Sequence, residues 1–230
     1  MRSQPWFRVL MAAASITMSA SMLTDLGYAQ TFGHELIVVS PKKLPVETRQ
    51  PGIAMTLHLV GPQTLYLYIE EQNGQKLAVY DVSDPARIRL KKTAQMVVSG
   101  TYDFVQSAGP SLELIRYRDG GGVAMLDLSK PKEPIMSAIG SIAGRSYIVP
   151  RELVNGSNVP SEKAVDYEIF PPSSTQPLLT VKGVLQQETD SGNGTTYLLT
   201  GDGLTVIRDI KAERRLAASA PPWTNTIDDN

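Results

Sequence analysis

The stretch LAVYDVSDP, residues 77–85, returns in altered form as VAMLDLSKP, residues 123–131. Each is an apolar run, then an acid, an apolar residue, Ser, a charged residue and Pro. One copy is a strand running into a turn. Several copies at regular spacing make a chain of repeated strand-and-turn units, and that limits the fold more than any other feature does. With the acid after each apolar run as marker, Asp81 and Asp127 lie 46 residues apart. Glu168, in VDYEIFPP, lies 41 further on, and Asp209, in LTVIRDI, another 41. LIVVSPKKLP, residues 36–45, reads as an earlier, shortened copy, with Ser40 standing 41 before Asp81.

Each unit supplies strands. TLYLYIEE (64–71) sets Leu65, Leu67 and Ile69 against Tyr66, Tyr68 and Glu70, the period-two pattern of a strand. Asn73-Gly74 then joins it to KLAVYDVS (76–83), and Asn-Gly is a strong hairpin signal. SLELIRYRD (111–119) and GVAMLDLS (122–129) repeat the arrangement around Asp119-Gly120-Gly121. TTYLLTG (195–201) and LTVIRDI (204–210) do so around Gly201-Asp202-Gly203. A further strand is expected after each turn, in IRLKKTAQ, PIMSAIGS, PLLTVKGV and RRLAAS. Outside the N-terminus no long stretch carries apolar residues at helical spacing. The reading is an all-β chain: a β-propeller-like array of roughly four to five small four-stranded antiparallel blades, with a β-sandwich as the alternative. A propeller closes when strands from both chain ends share one blade. The last unit has later strands of its own, which leaves open an unclosed array completed by a second copy or a partner. The acids at the strand ends are read as turn devices, bonding nearby backbone before Ser and Pro lead the chain out.

LAVYDVSDP, VAMLDLSKP and YLLTGDGLTVIRDI (197–210) resemble LVIVD repeats. In that family a Tyr-containing strand, a Gly-Leu turn and an apolar strand ending in Asp are followed by Ser, a variable residue and Pro. The resemblance covers about residues 34–216 and is weakest at the N-terminus and around Glu168, where FPPSSTQP replaces Val-Ser-Asp-Pro. It implies a β-propeller in an exported bacterial or archaeal protein. The motif is structural and implies no reaction.

Residues 1–29 read as a signal peptide. Arg2 and Arg8 precede VLMAAASITMSASML, an uncharged run, and Gly27 and Ala29 stand at −3 and −1 of a cleavage site. The run is short for a membrane span, which needs about 20 apolar residues. No Cys stands near the cut to carry a lipid. Cleavage removes Arg2, Arg8 and Asp25 from the chain's 22 basic and 23 acidic residues, leaving 20 and 22. That balance, without a basic cluster, argues against nucleic acid as a partner, and no second apolar segment could form an integral membrane span after cleavage. The chain has no Cys, so it has neither disulfides nor thiolate metal sites. Residues 30–219 are read as the repeat domain and APPWTNTIDDN, residues 220–230, as a disordered tail.

Chemistry-bearing motifs are sparse. The two histidines, His34 and His58, have no ligand companion at metal spacing. DSGNGTT (190–196) has an Asp and an Asn but not the spacing or closing Glu of a calcium loop. There is no Gly-x-Ser-x-Gly, and the Gly-rich RDGGGV (118–123) joins two strands. Glu70 and Glu71 point to opposite faces of one strand. No catalytic residue, metal site or cofactor is therefore assigned. Arg116, Tyr117 and Arg118 are the candidate ligand-binding residues, since a strand end at a propeller mouth would bring two guanidinium groups to a carboxylate or sugar. The function expected is that of an exported, periplasmic or secreted, non-enzymatic module binding a protein, glycan or small molecule. The alternative is a periplasmic enzyme on a propeller scaffold, such as a metal-dependent hydrolase or lactonase, drawing ligands from His58, Asp103 and Gln186-Gln187 on inner strands. N-terminal sequencing of the fractionated protein is expected to begin at Gln30; a cytoplasmic product still beginning at Met1 refutes the export reading.

Overall fold

The structure is a computed structural model and describes residues 30–32, 36–98, 100–139, 163–170 and 175–219. The signal segment, His34, Pro172 of FPPSSTQP and the tail APPWTNTIDDN lie outside the described residues.

The described residues are all-β apart from one helix and two short 3-10 turns. The period-two runs become strands where they were read. The first sheet is a four-stranded meander of β3 (Gly52–Val60), β4 (Thr64–Glu71), β5 (Lys76–Asp81) and β6 (Arg89–Gln95). The second repeats it with β7 (Tyr102–Gly109), β8 (Leu112–Tyr117), β9 (Val123–Asp127) and β10 (Ile135–Ala138). The third has six strands in the order β1-β2-β14-β13-β12-β11, built from β11 (Val165–Ile169), β12 (Leu179–Thr189), β13 (Thr196–Thr200) and β14 (Gly203–Asp209) with β1 (Gln30–Phe32) and β2 (Leu36–Val39). All pairings are antiparallel.

The described residues thus form three sheets where the marker spacing suggests four to five units, and two differences account for this. Glu168 does not end a unit of its own. It sits in β11, opposite Thr180, in the same sheet as Asp209. The shortened N-terminal copy is not a unit either: β2 pairs with β14, Val38 opposite Ile207, and takes the place of a fourth strand after the last meander. The two ends of the described chain therefore share one sheet, contrary to the reading that the last unit completes itself.

RRLAAS, read as that completing strand, is instead part of α1 (Ile210–Ser219). The cause is local. Asp209 Oδ1 accepts the amides of Lys211 and Ala212, both at 2.9 Å, which caps a helix start. Residues 212–218, AERRLAA, are strong helix formers. Glu213 takes Arg208 with both oxygens, at 2.9 and 2.7 Å.

The other markers act as turn devices. Asp81 Oδ1 accepts the Ser83 amide at 3.1 Å and its hydroxyl at 2.7 Å, and Asp127 Oδ1 accepts the Ser129 amide at 2.8 Å. Ser83 Oγ in turn accepts the Leu65 amide, which ties the turn back to β4. Partial burial works to raise the Asp81 carboxyl, but the Ser83 hydrogen bonds and Lys91 at 3.0 Å outweigh it and hold the pKa below the ordinary value. In the Asn73-Gly74 hairpin the chain takes left-handed geometry at Gln72, Asn73 and Gly74. Gly74 is required twice over, since a Cβ there would also stand 2.2 Å from the Gly100 carbonyl oxygen.

The sheets pack face to face with the first in the middle. Leu67, Ile69, Ala78 and Tyr80 on one of its faces meet Tyr197, Leu199, Leu204 and Val206 of the third sheet. Tyr68, Leu77 and Val79 on the other meet Tyr102, Ile115, Ala124 and Leu126 of the second. Central strands are thus buried on both sides. Such stacking fits a propeller-like array and a sandwich alike. The closing strand generates a prediction. Val38 is buried with Val184, Leu198 and Ile207, so Val38→Asp places a charge in that cluster and is expected to cost about 3 kcal/mol. Chemical denaturation checks it; wild-type stability would mean that β2 does not complete the sheet.

Candidate functional site

The strands that open the three meanders, β3, β7 and β12, come together, with β3 against both others. Gln186 on β12 accepts the Met55 amide of β3 at 2.7 Å, which ties the third sheet to the first. The inner-strand residues expected to face one another are therefore on neighbouring strands. The structure sorts them into two clusters and a cleft.

The first cluster holds the candidate binding residues. Asp103 and Arg116 are opposite each other in the β7–β8 ladder, which puts their side chains on one face. Arg116 Nη2 lies 3.3 Å from Asp103 Oδ2. Arg118 bonds Asp103 Oδ1 through Nε at 2.8 Å and through Nη2, and it also reaches the Ile53 carbonyl of β3 at 3.3 Å. Both guanidinium groups are half-buried and tied to one carboxylate. They brace the second sheet against the first. Tyr117 points to the opposite face, where it packs edge-on against Tyr102. The three candidates are thus divided: the two arginines converge, and Tyr117 does not join them.

Behind Arg118 lies Glu70, fully buried. Burial pushes its pKa up to about 7 against the pull of the Gly74 amide and Arg118. Glu71 on the other face is also buried and takes Lys76 at 3.2 Å. The opposite-face reading of this pair holds, and both faces are interior.

The second cluster joins all three sheets. His58 of β3 approaches Glu113 of β8, and Glu188 of β12 lies near Glu113. His58 Nδ1 is 3.9 Å from Glu113 Oε1, too far for a hydrogen bond. Burial, then the nearby Glu188, raises Glu113 to about 7. Burial alone raises Glu188 to about 7 and lowers His58. His58 is edge-on to Tyr68 at 6.4 Å between ring centres. Sequence reasoning passed over Glu113 and Glu188. The available signal was Glu113 between Leu112 and Leu114, in a strand apolar on both faces.

The cleft lies where the β3–β4 hairpin meets the turn between β12 and β13. It has a volume of about 470 Å³. Leu57, Leu59, Leu65 and Pro62 line it on one side and Asp190 to Asn193 on the other. The DSGNGTT segment forms that second wall as a self-bonded turn: Asp190 Oδ1 accepts the Gly192 amide and Asn193 Oδ1 the Thr195 amide, both at 2.8 Å. Among the described residues no three His, Asp or Glu side chains converge in a geometry that could hold a metal ion, and no helix is long and apolar enough to cross a membrane.

No family model matches the chain, and no curated protein or solved structure is found similar to it.

The buried acids give the protein a pH response. In the unfolded chain each carboxyl titrates near its ordinary value of 4.5; in the folded protein Glu70, Glu113 and Glu188 titrate near 7. Above pH 7 folding must hold ionised carboxylates away from water. As pH falls through 7 the folded state takes up protons that the unfolded state does not, so stability rises. His58, held below its ordinary value of 6.5 by burial, opposes this as pH falls through 6.5, one group against three. Between pH 8 and 6 each raised carboxyl is worth about 1 kcal/mol. The melting temperature is expected to be higher at pH 6 than at pH 8. Glu113→Gln is expected to raise it at pH 8 and narrow the gap. A flat profile, or one rising with pH, would contradict these assignments.

Proposed function

We propose that this chain is an exported, non-enzymatic β-rich binding module that takes a small ligand, or a side chain of a partner, in the cleft between its first and third sheets. The single observation that carries the reading is that cleft. It is within the size range of small-molecule sites, with an apolar side and a few polar groups opposite, and its polar wall is a turn, which can vary without disturbing the sheets beneath it. Export rests on Arg2, Arg8, the uncharged run and the small residues at 27 and 29. The resemblance of LAVYDVSDP and VAMLDLSKP to LVIVD repeats supports the same reading and a propeller-like form of the fold. The guanidinium groups of Arg116 and Arg118 already share Asp103, so the binding role moves from them to the cleft.

Thermal-shift screening of a small-molecule collection against the wild type and Ser191→Trp tests the reading. Ser191 is exposed on the turn, and an indole there fills the cleft without touching the core. Ligands are expected that raise the wild-type melting temperature and leave the variant unmoved. Ligands that stabilise both equally would place binding elsewhere.

A further inference from the structure

We infer that the cleft selects a primary alkylammonium group, bound with its methylenes along the leucine side and its charge at Asp190. The inference rests on the cleft being the binding site. Its basis is the inventory of the lining. Leu57, Leu59 and Leu65 offer an apolar strip, and Leu59 is 62% exposed. Facing it are Thr189, Asp190, Ser191, Gly192 and Asn193, completed by Pro62, Gln63 and Ser83 at the hairpin end. Among the described residues Asp190 is the only ionisable one in this lining, and no Lys or Arg lines the cleft to neutralise it. A carboxylate ligand would meet one negative charge and no positive one. A neutral alkyl chain would use the leucines and leave the carboxylate unanswered.

The polar groups narrow the choice further. Ser83 Oγ is occupied by the Leu65 amide and Asp81, and Thr189 Oγ1 lies 3.2 Å from Thr196 Oγ1. Asp190 spends Oδ1 on the Gly192 amide at 2.8 Å, which fixes the carboxylate in place. A fixed carboxylate on a pre-formed turn loses little freedom when it meets an ammonium group. An ammonium on a flexible alkyl stem fits such a site, because stem and head have separate surfaces to meet.

Titration of the full chain, with Leu and Ile methyls labelled, against n-hexylammonium, n-hexanol and n-hexanoate tests this by NMR. Hexylammonium is expected to shift the methyls of Leu57, Leu59 and Leu65, hexanol to do so at roughly tenfold higher concentration, and hexanoate not at all. Asp190→Asn keeps an oxygen for the Gly192 amide while removing the charge. It is expected to weaken hexylammonium about tenfold and leave hexanol unchanged. Should the three probes bind alike, or Asp190→Asn bind hexylammonium as the wild type does, the choice of a cation is overturned and the cleft reading stands. If none of the probes moves these methyls, both are overturned.

Discussion

The central strands of the first sheet have no face left for water, and much of the structure follows from that. β4 and β5 lie in its middle, with the second sheet against one side and the third against the other. A strand in that position must bury whatever its sequence places there. Leu67, Ile69 and Val79 suit the position; Glu70 and Glu71 do not, yet both are buried with them. Glu71 answers its burial with Lys76, and Glu70 by retaining a proton to about pH 7. The same stacking brings β3 against β7 and β12 and so sets His58, Glu113 and Glu188 together. The acid clusters are consequences of sheet packing, and their titration reports on whether that packing is intact.

A carboxylate at the end of the third strand of each meander is the second recurring element. Asp81, Asp127 and Asp209 each use Oδ1 to accept the amide two residues on. After Asp81 and Asp127 the chain continues into Ser and Pro and returns as a fourth strand. After Asp209 it continues into Ile-Lys-Ala-Glu, and the same bond becomes a helix cap. One local interaction thus has two outcomes, decided by the helix propensity of the residues behind it. Because α1 takes the place of a last strand, β14 would be left with an open edge. β2 covers it, and the two ends of the described chain are joined in one sheet.

The site divides along similar lines. That Arg116 and Arg118 share a face, and Tyr117 does not, was legible from alternation alone. That Asp103 stands opposite Arg116 was not, because register between two strands depends on the turn joining them. The cleft was hidden further, since its walls come from segments about 130 positions apart in the chain, around Pro62 and Asp190. DSGNGTT could be recognised as a turn, but nothing local showed which leucines it would face.

By itself the sequence determined the period-two strands, the hairpin at Asn73-Gly74, the turn role of Asp81 and Asp127, and the all-β class. Each follows from sterics and hydrogen bonds within a few residues, so neighbours in the chain suffice to set it. Only the tertiary structure decided that the N-terminal strand completes the last sheet, that the marker at Glu168 shares a sheet with the marker at Asp209, and that three acidic side chains titrate near neutral pH. Those outcomes depend on which edges and faces remain uncovered once the meanders have formed, and that is a property of all the sheets together.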